Sequence, residues 1–264
     1  MKRILLGLLS LILVIAAAGC AANTEANEAS AAPETSSEPT AIPEPDSEPA
    51  PSMEATEAPP TEEPNMATLF YQGHGSLRVT TAEGKVIYID PYAGEGYDSP
   101  ADLILVTHGH SDHTAVDLIK AQNSGCQTIT YEEALVDGEY KTFDLGYVTV
   151  EAVEAGNNPN HDITVCVGYI LTFSDGKTVY ISGDTSTTDQ MATLKERNLD
   201  YAFFCCDGIY NMDIEEAAAC AELVGAKHSI PYHMSPGENF SQERAELFDV
   251  PNRLIIADGE EITL

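Results

Sequence analysis

Short runs of apolar and β-branched residues, separated by polar or glycine-containing turns, recur from residue 67 to the C-terminus. Runs of four to nine such residues with polar neighbours are typical of β-strands. The pattern predicts strands at Thr68–Tyr71, Leu77–Thr81, Val86–Asp90, Leu103–Thr107, Thr128–Thr130, Val148–Val153, Val165–Phe173, Thr178–Ser182, Tyr201–Cys205, His228–Pro231 and Leu254–Ala257.

Four longer segments lie between or after these runs and carry a pattern typical of helices. They are Ser111–Gln122, with Ser111 as a possible N-cap, then Thr187–Arg197, Ile214–Val224 and Ser241–Phe248. Strand-rich halves with helices between and outside them favour a layered α/β sandwich.

The first 19 residues have the pattern of an export signal. Lys2 and Arg3 precede an uncharged run, Ile4–Ala18, which is shorter than the roughly 20 residues that span a bilayer. Ala17, Ala18 and Gly19 directly before Cys20 resemble the lipobox of bacterial lipoproteins, although that family usually has leucine where Ala17 stands. The resemblance implies a lipidated Cys20 and an extracytoplasmic protein anchored to the cell membrane. The alternative is an ordinary cleaved signal with a chance cysteine.

Residues 20–66 have the composition of a disordered linker. Residues 21–66 contain nine of the fifteen prolines, eleven acidic residues and no basic residue. So little hydrophobic bulk cannot offset the entropy of ordering the chain. Extended by its prolines, the segment reaches on the order of 140 Å at about 3.1 Å per residue. We therefore expect a spacer between a lipid anchor and a folded domain at residues 67–264.

The charge of the chain limits its binding partners, and its cysteine pattern limits disulfides and zinc sites. The chain has 12 basic and 43 acidic residues, a net charge of −31. Binding to nucleic acid needs lysines and arginines that displace counterions from phosphates, so this excess of acid argues against such a partner. The five cysteines after Cys20 have no C-x-x-C spacing, which indicates neither a disulfide framework nor a cysteine zinc site.

The stretch Thr107–His113 carries the candidate chemistry. Its pattern is H-x-H-x-D-H, formed by His108, His110, Asp112 and His113 at the end of a predicted buried strand. Side chains at such a strand end project into a crevice beyond the sheet. Imidazole and carboxylate groups together suit zinc, iron or manganese.

This motif resembles the signature of the metallo-β-lactamase fold superfamily. The resemblance implies a four-layer αββα sandwich and a dinuclear metal site, with two divalent ions, Zn²⁺ or alternatively Mn²⁺ or Fe²⁺. Later positions match the remaining ligands of the family in order: His161, Asp184 and His233. One metal would be held by His108, His110 and His161, the other by Asp112, His113 and His233, and Asp184 would bridge them.

Further motifs resemble the branch of this superfamily that contains L-ascorbate-6-phosphate lactonase. They are Gly73-His74-Gly75, Asp90-Pro91 and Asp207–Met212. The resemblance implies a hydrolase that uses a metal-activated hydroxide on a small lactone, ester or phosphodiester, with Asp112 taking the proton.

Two residues near the motif have competing interpretations. Asp90 would orient a metal-binding histidine through the second ring nitrogen, or it would simply form an Asp-Pro turn. His74 would line the site or cap a loop.

Three competing functions differ in what they require. A nuclease shares the signature but fits poorly with a net charge of −22 on residues 67–264. A glyoxalase-type thioesterase would carry a G-H-T-x-G segment, which is absent around His161. A non-catalytic metal-binding or ligand-binding surface lipoprotein remains the alternative of a different class.

Overall fold

Strands are the main regular secondary structure of residues 65–264, the part of the chain that the computed structural model describes. Predictions for the signal sequence, Cys20 and nearly all of the linker fall outside the described residues. The strands are β1 (Thr68–Gly73), β2 (Ser76–Thr80), β3 (Val86–Ile89), β4 (Ala101–Val106), β5 (Gln122–Thr130), β6 (Leu135–Val136), β7 (Glu139–Tyr140), β8 (Thr142–Asp144), β9 (Val148–Glu154), β10 (Val167–Phe173), β11 (Thr178–Ile181), β12 (Tyr201–Cys205), β13 (His228–Tyr232) and β14 (Glu261–Thr263).

These strands form two six-stranded sheets. The first has the order β14-β1-β2-β3-β4-β5 and the second β13-β12-β11-β10-β9-β8, while β6 and β7 form a separate hairpin. Each sheet contains three neighbouring parallel strands, β3-β4-β5 in the first and β11-β12-β13 in the second. Because the carboxyl ends of parallel strands share one edge, the loops that follow them meet there.

The two sheets bury one continuous hydrophobic core between them. Leu77 and Leu105 from the first sheet belong to the same cluster as Leu171 and Ile181 from the second. The buried Tyr169 adds a polar link across the interface, because its hydroxyl donates to the carbonyl of Val106 at 3.0 Å. The predicted layered α/β sandwich is therefore confirmed for its two central layers.

The outer faces of the two sheets are covered differently. The helices are α1 (Tyr131–Ala134), α2 (Met191–Leu194), α3 (Ile214–Val224) and α4 (Gln242–Leu247). Helix α3 packs on β12 and against α2. The outer face of the first sheet instead buries a small cluster that includes Tyr88, Ile104 and Ile119, under the loop that precedes β5. Within the described residues, the αββα description thus fits one outer layer better than the other.

The predicted helix Ser111–Gln122 is wrong. Only a 3-10 turn at Val116–Leu118 forms there, and Ser111 caps nothing. The backbone of His113 donates to His110, and that of Ala115 donates to Pro91, so the chain is drawn into turns. The contacts that direct the motif side chains inward override the local helical pattern.

Other element boundaries also differ from the prediction. Leu254–Ala257 is not a strand, although Leu254 donates a backbone hydrogen bond to Ser229 beside β13. Strand β5 is longer than the predicted Thr128–Thr130, and Thr187–Arg197 contains only the four residues of α2 followed by a 3-10 turn. The short strands β6, β7, β8 and β14 lack the apolar alternation that would reveal them. No helix within residues 65–264 has the length and apolarity needed to cross a membrane.

Candidate metal centre

The predicted ligands all follow strands and lie at one end of the two sheets. His108 follows β4, Asp184 follows β11 and His233 follows β13 directly. His161 lies in the loop between β9 and β10. The parallel arrangement of β11, β12 and β13 explains why residues far apart in sequence come together here.

One group consists of His108, His110 and His161. Each offers a nitrogen, and these atoms all lie within 4.8 Å of one another. The Nε2 atom of His161 lies 3.2 Å from the Nδ1 atom of His110. His108 and His161 are buried, while His110 is exposed to the cavity side. Three converging imidazoles are a donor set suited to a divalent transition metal.

A second group consists of His74, Asp112, His113 and His233, again with one ligand atom each within 4.8 Å of the others. The rings of His113 and His233 are stacked with centroids 5.3 Å apart. The Nε2 atom of His233 lies 4.0 Å from Oδ2 of Asp112. The structure therefore brings together all three residues proposed for the second metal, and adds His74 to them.

The carboxylate of Asp184 lies between the two groups. Its Oδ2 atom is 3.3 Å from Nε2 of His161 and 3.5 Å from Nε2 of His233. Its Oδ1 atom is 3.5 Å from Nε2 of His113. A buried carboxylate that faces histidines of both groups has the placement required of a bridging ligand.

The buried polar atoms provide a test of whether metals fit. The Nε2 atoms of His108, His113 and His233 and Oδ1 of Asp184 are buried without a hydrogen-bond partner. A buried polar atom without a partner costs free energy, so several converging on one point indicate that a ligand completes them. The donor set is nitrogen and carboxylate oxygen, so the residues fit divalent metals and form a cluster capable of binding them.

Asp90 holds His113 in the orientation this requires. Its Oδ2 atom lies 2.9 Å from Nδ1 of His113, and Oδ1 accepts from the backbone of Thr107 at 2.7 Å. Oδ2 also accepts from the Thr107 hydroxyl at 2.7 Å. Asp90 is fully buried and has a positive φ of 47°, so it is both a turn residue before Pro91 and a partner of a histidine. A carboxylate on Nδ1 leaves Nε2 free for a metal.

His74 lies in the site, as one of its two interpretations predicted. Its Nε2 atom is 3.2 Å from Oδ2 of Asp112, and its ring lies on that of His233 with centroids 3.8 Å apart. Its carbonyl accepts from the backbone of His233 and from the hydroxyl of Tyr71. The next residue, Gly75, is a glycine for a steric reason, because a Cβ there would lie 2.9 Å from Cε1 of His113.

Asp207 and Asn211 are site residues that the sequence did not single out individually. Oδ2 of Asp207 lies 3.4 Å from Nδ1 of His233, and the Asn211 amide donates to Asp184 at 2.8 Å and to Asp207 at 2.7 Å. Burial opposes the ionisation of Asp207, but contact with His233 and hydrogen bonds from the backbone outweigh it and lower its pKa to about 2. The available signal was the motif Asp207–Met212, directly after a buried strand.

Burial and neighbouring charges shift the pKa values of His108 and His113 in opposite directions. Burial, together with the nearby His113, lowers the pKa of His108 to about 2, so its imidazole is neutral at pH 7. For His113, burial lowers the pKa, but the carboxylates of Asp184 and Asp90 outweigh it and raise the pKa well above the usual value. The carboxylates of Asp184 and Asp90 therefore favour positive charge at His113.

A cavity of about 340 Å³ opens onto both groups. It is lined by two carboxylates, three histidines, an asparagine and a tyrosine: Asp112, Asp184, His110, His161, His233, Asn160 and Tyr210. This volume lies in the range of small-molecule binding sites.

Sequence comparison places this site in a known family. The profile of the beta-lactamase superfamily domain matches residues 68–233, which include every member of both groups. The chain belongs to this superfamily. The four positions of its H-x-H-x-D-H motif and the later Asp184 and His233 therefore lie within the family domain.

Individual relatives are named as hydrolases. A UPF0173 metal-dependent hydrolase of Geobacillus sp. (strain WCH70) is 33% identical over 190 residues, covering 62% of this chain and 83% of its own. One from Anoxybacillus flavithermus is 28% identical and is covered over 99% of its length, against 74% of this chain. The predicted class, a metal-dependent hydrolase of this superfamily, is confirmed at the level of the family.

Solved structures support the fold. A candidate metal-dependent hydrolase from Parabacteroides distasonis superposes with a TM-score of 0.60 at 30% identity, covering 72% of this chain and 92% of that one. Igni18, a metallo hydrolase from the archaeon Ignicoccus hospitalis, superposes with a TM-score of 0.57 at 24% identity, covering 75% and 98%. The second likeness concerns the fold alone.

Proposed function

We propose that this protein is a hydrolase that uses two divalent metal ions to cleave a small lactone, ester or phosphodiester. The observation that carries the proposal is the set of unpaired buried atoms on two sides of Asp184. One group, His108, His110 and His161, would hold the first metal. The second, Asp112, His113 and His233, would hold the other, with Asp184 shared between them.

The metals, when bound, supply Lewis acidity that lowers the pKa of a water molecule and polarises the substrate oxygen. The residues of the chain hold the ligand atoms in position. Asp90 contacts Nδ1 of His113 at 2.9 Å and so directs Nε2 of that ring towards the metal position, and Asp207 faces Nδ1 of His233 at 3.4 Å. The half-buried Asp112 lines the cavity, so its carboxylate is positioned to accept the proton of an attacking water.

A more specific branch, the one containing L-ascorbate-6-phosphate lactonase, stays part of the proposal. It is supported by the place of two branch motifs in the site. His74 of the Gly73-His74-Gly75 motif contacts Asp112, and Asp207 of the second motif faces His233. The competing non-catalytic binding protein would use the same ligands, so turnover distinguishes the two functions.

The test measures metals and turnover on the same samples. The zinc-loaded protein is expected to contain close to two metal ions per chain and to hydrolyse members of a panel of lactones, esters and phosphodiesters. His110→Ala removes one ligand and is expected to lower the rate about 100-fold or more. Equal rates in both proteins would assign the turnover to a contaminant, and a full metal content without hydrolysis would favour the binding protein.

We also propose that lipidated Cys20 anchors the protein to the outer face of the cell membrane. Support comes from the residues before Cys20 and the proline-rich segment after it. The native protein is expected to partition into the detergent phase, and Cys20→Ser to remain uncleaved or be released. A fully soluble, secreted wild-type protein would contradict the anchor.

A further inference from the structure

The walls of the cavity carry negative charge and no positive charge. Asp112 and Asp184 line it, and none of its lining residues is lysine or arginine. An anionic substrate group, such as a phosphate monoester, is ordinarily held by arginine, lysine or a cluster of backbone N–H groups. Two bound divalent ions would engage the reacting group itself, which leaves no cation for a second anionic group.

Arg244 of helix α4 is held by hydrogen bonds to the main chain. Arg244 donates to the backbone carbonyls of Cys206 and Asp207 at 2.7 and 3.1 Å. The other arginines of the described region bind acidic side chains or carbonyls of residues that do not line the cavity: Arg78 with Glu261, Arg197 with Glu151, and Arg253 with Phe248. None of the four arginines lines the cavity.

One large exposed side chain lines the cavity, and two more exposed apolar residues lie next to residues of the site. Tyr210 lines the cavity and is 52% exposed, and the adjacent Ile209 is 65% exposed. A third exposed apolar residue, Tyr92, lies with its ring 5.5 Å from that of His74. Exposed apolar groups clustered beside a polar site mark a binding surface more often than isolated ones do.

The Ile209–Tyr210 segment is held rigidly in this exposed position. Oδ1 of Asp207 accepts from the backbone N–H groups of Ile209 and Tyr210, both at 2.7 Å. The side chain of Asn160 donates to the carbonyl of Tyr210 at 3.2 Å, which ties the segment to the loop that carries His161. A rigid apolar surface binds an apolar group without the entropic cost of ordering itself.

We propose that the substrate is an uncharged ester or lactone with an apolar alkyl or aryl group that packs against Tyr210 and Ile209. This inference rests on the proposed function, since it places the reacting bond at the metal centre and the apolar group at the rim. It narrows the substrate class within the proposed branch, because it disfavours lactones and esters that carry a second charged group, L-ascorbate 6-phosphate among them.

Binding of alkyl hydroxamates tests the inference without relying on turnover, because hydroxamates chelate zinc and their chains can be varied. Calorimetry on the zinc-loaded full-length chain would compare acetohydroxamate, hexanohydroxamate and the monohydroxamate of adipic acid. Each buried methylene contributes about 0.8 kcal/mol, so hexanohydroxamate is expected to bind at least about tenfold more tightly than acetohydroxamate, even with partial burial. The adipic compound, which ends in a carboxylate, is expected to lose most of this gain.

Two serine variants assign the effect to the rim. Ile209→Ser combined with Tyr210→Ser is expected to reduce the tenfold preference to about twofold. Val136→Ser, which changes a half-exposed apolar residue of the β6–β7 hairpin, is expected to retain it. Binding of acetohydroxamate with no gain from the longer chain, or an equal gain for the adipic compound, would overturn this inference alone. Failure of all three compounds to bind would overturn the metal centre, and the inference with it.

Discussion

In both halves of the domain, an aspartate joins the starts of two neighbouring parallel strands. In the first sheet, Asp102 accepts from the backbone of Val86 and binds Lys85 at 3.0 Å. In the second sheet, Asp200 accepts from the backbone of Thr178 and binds Lys227 at 2.6 Å. In each sheet the aspartate lies at the start of one parallel strand and accepts a hydrogen bond from the first residue of the neighbouring strand. These bonds align the strands at the end of each sheet opposite the site.

The halves differ in how they supply the site. The first half places four candidate ligands on one loop, residues 108–113, directly after β4. The second half supplies His161, Asp184 and His233 from three separate loops. Ligands on one loop depend mainly on the conformation of that loop, whereas ligands on separate loops depend on the register of a whole sheet. The second half is therefore expected to be more sensitive to changes in tertiary structure.

The largest expected effect comes from the residue that joins the halves. Asp184→Asn removes the negative charge that faces histidines of both groups, and we expect metal affinity to fall about 100-fold or more. Elemental analysis after dialysis would show fewer than two zinc ions per chain. The matched control is Asp137→Asn, a change of an exposed turn residue, which is expected to retain both ions.

The carboxylates that orient one histidine of each half allow a direct comparison. Asp90→Asn and Asp207→Asn are each expected to weaken zinc binding about 10- to 100-fold, measured by competition with a chelator. Asp90→Asn is also expected to lower the free energy of unfolding of the metal-free protein by about 2 kcal/mol, because Asp90 accepts from Thr107 twice. An unchanged free energy of unfolding in Asp90→Asn would show that Asp90 serves the histidine alone.

A smaller effect is expected where the sheets face each other. Tyr169→Phe removes the hydroxyl that donates to Val106 at 3.0 Å and leaves the packing of the ring intact. The free energy of unfolding is expected to fall by about 1 kcal/mol, measured by urea denaturation. A loss above about 3 kcal/mol would mean that this bond aligns the sheets and does more than fill the interface.

The smallest expected effect concerns the two aspartates at the far end. Burial opposes their ionisation, but backbone N–H groups and the lysines outweigh it and lower the pKa of both Asp102 and Asp200. Their contribution is therefore complete above the ordinary aspartate pKa of about 3.9 and is lost as pH falls through the lowered value. Asp102→Asn and Asp200→Asn are each expected to cost only about 0.5 to 1 kcal/mol at pH 7, since the lysines are largely exposed, and the cost is expected to shrink as pH falls through the lowered pKa.

The features that could be predicted from the sequence are those whose chemistry is local. The strand around Leu105 is predicted by a short continuous apolar run, and those around Leu77 and Tyr169 by short runs rich in β-branched and apolar residues. The six residues 108–113 were recognised because four metal-binding side chains rarely fall in that spacing by chance. The helix predicted at Ser111–Gln122 is wrong because the prediction used only the local pattern, which is helical. The inward turn of Asp112 and His113 is imposed by partners elsewhere in the chain.

The sequence by itself determined the strand-rich sandwich, the family motif and the residue types available to bind metal. Only the tertiary structure decided that His74 contacts Asp112 and that Asp207 faces His233, and it gave the distances to both groups from Asp184, whose bridging place the family resemblance implied. The physical reason is the separation along the chain of the residues that interact. Periodicity and motif spacing record interactions within a few residues, whereas these contacts join residues between 23 and 71 positions apart through the alignment of parallel strand ends.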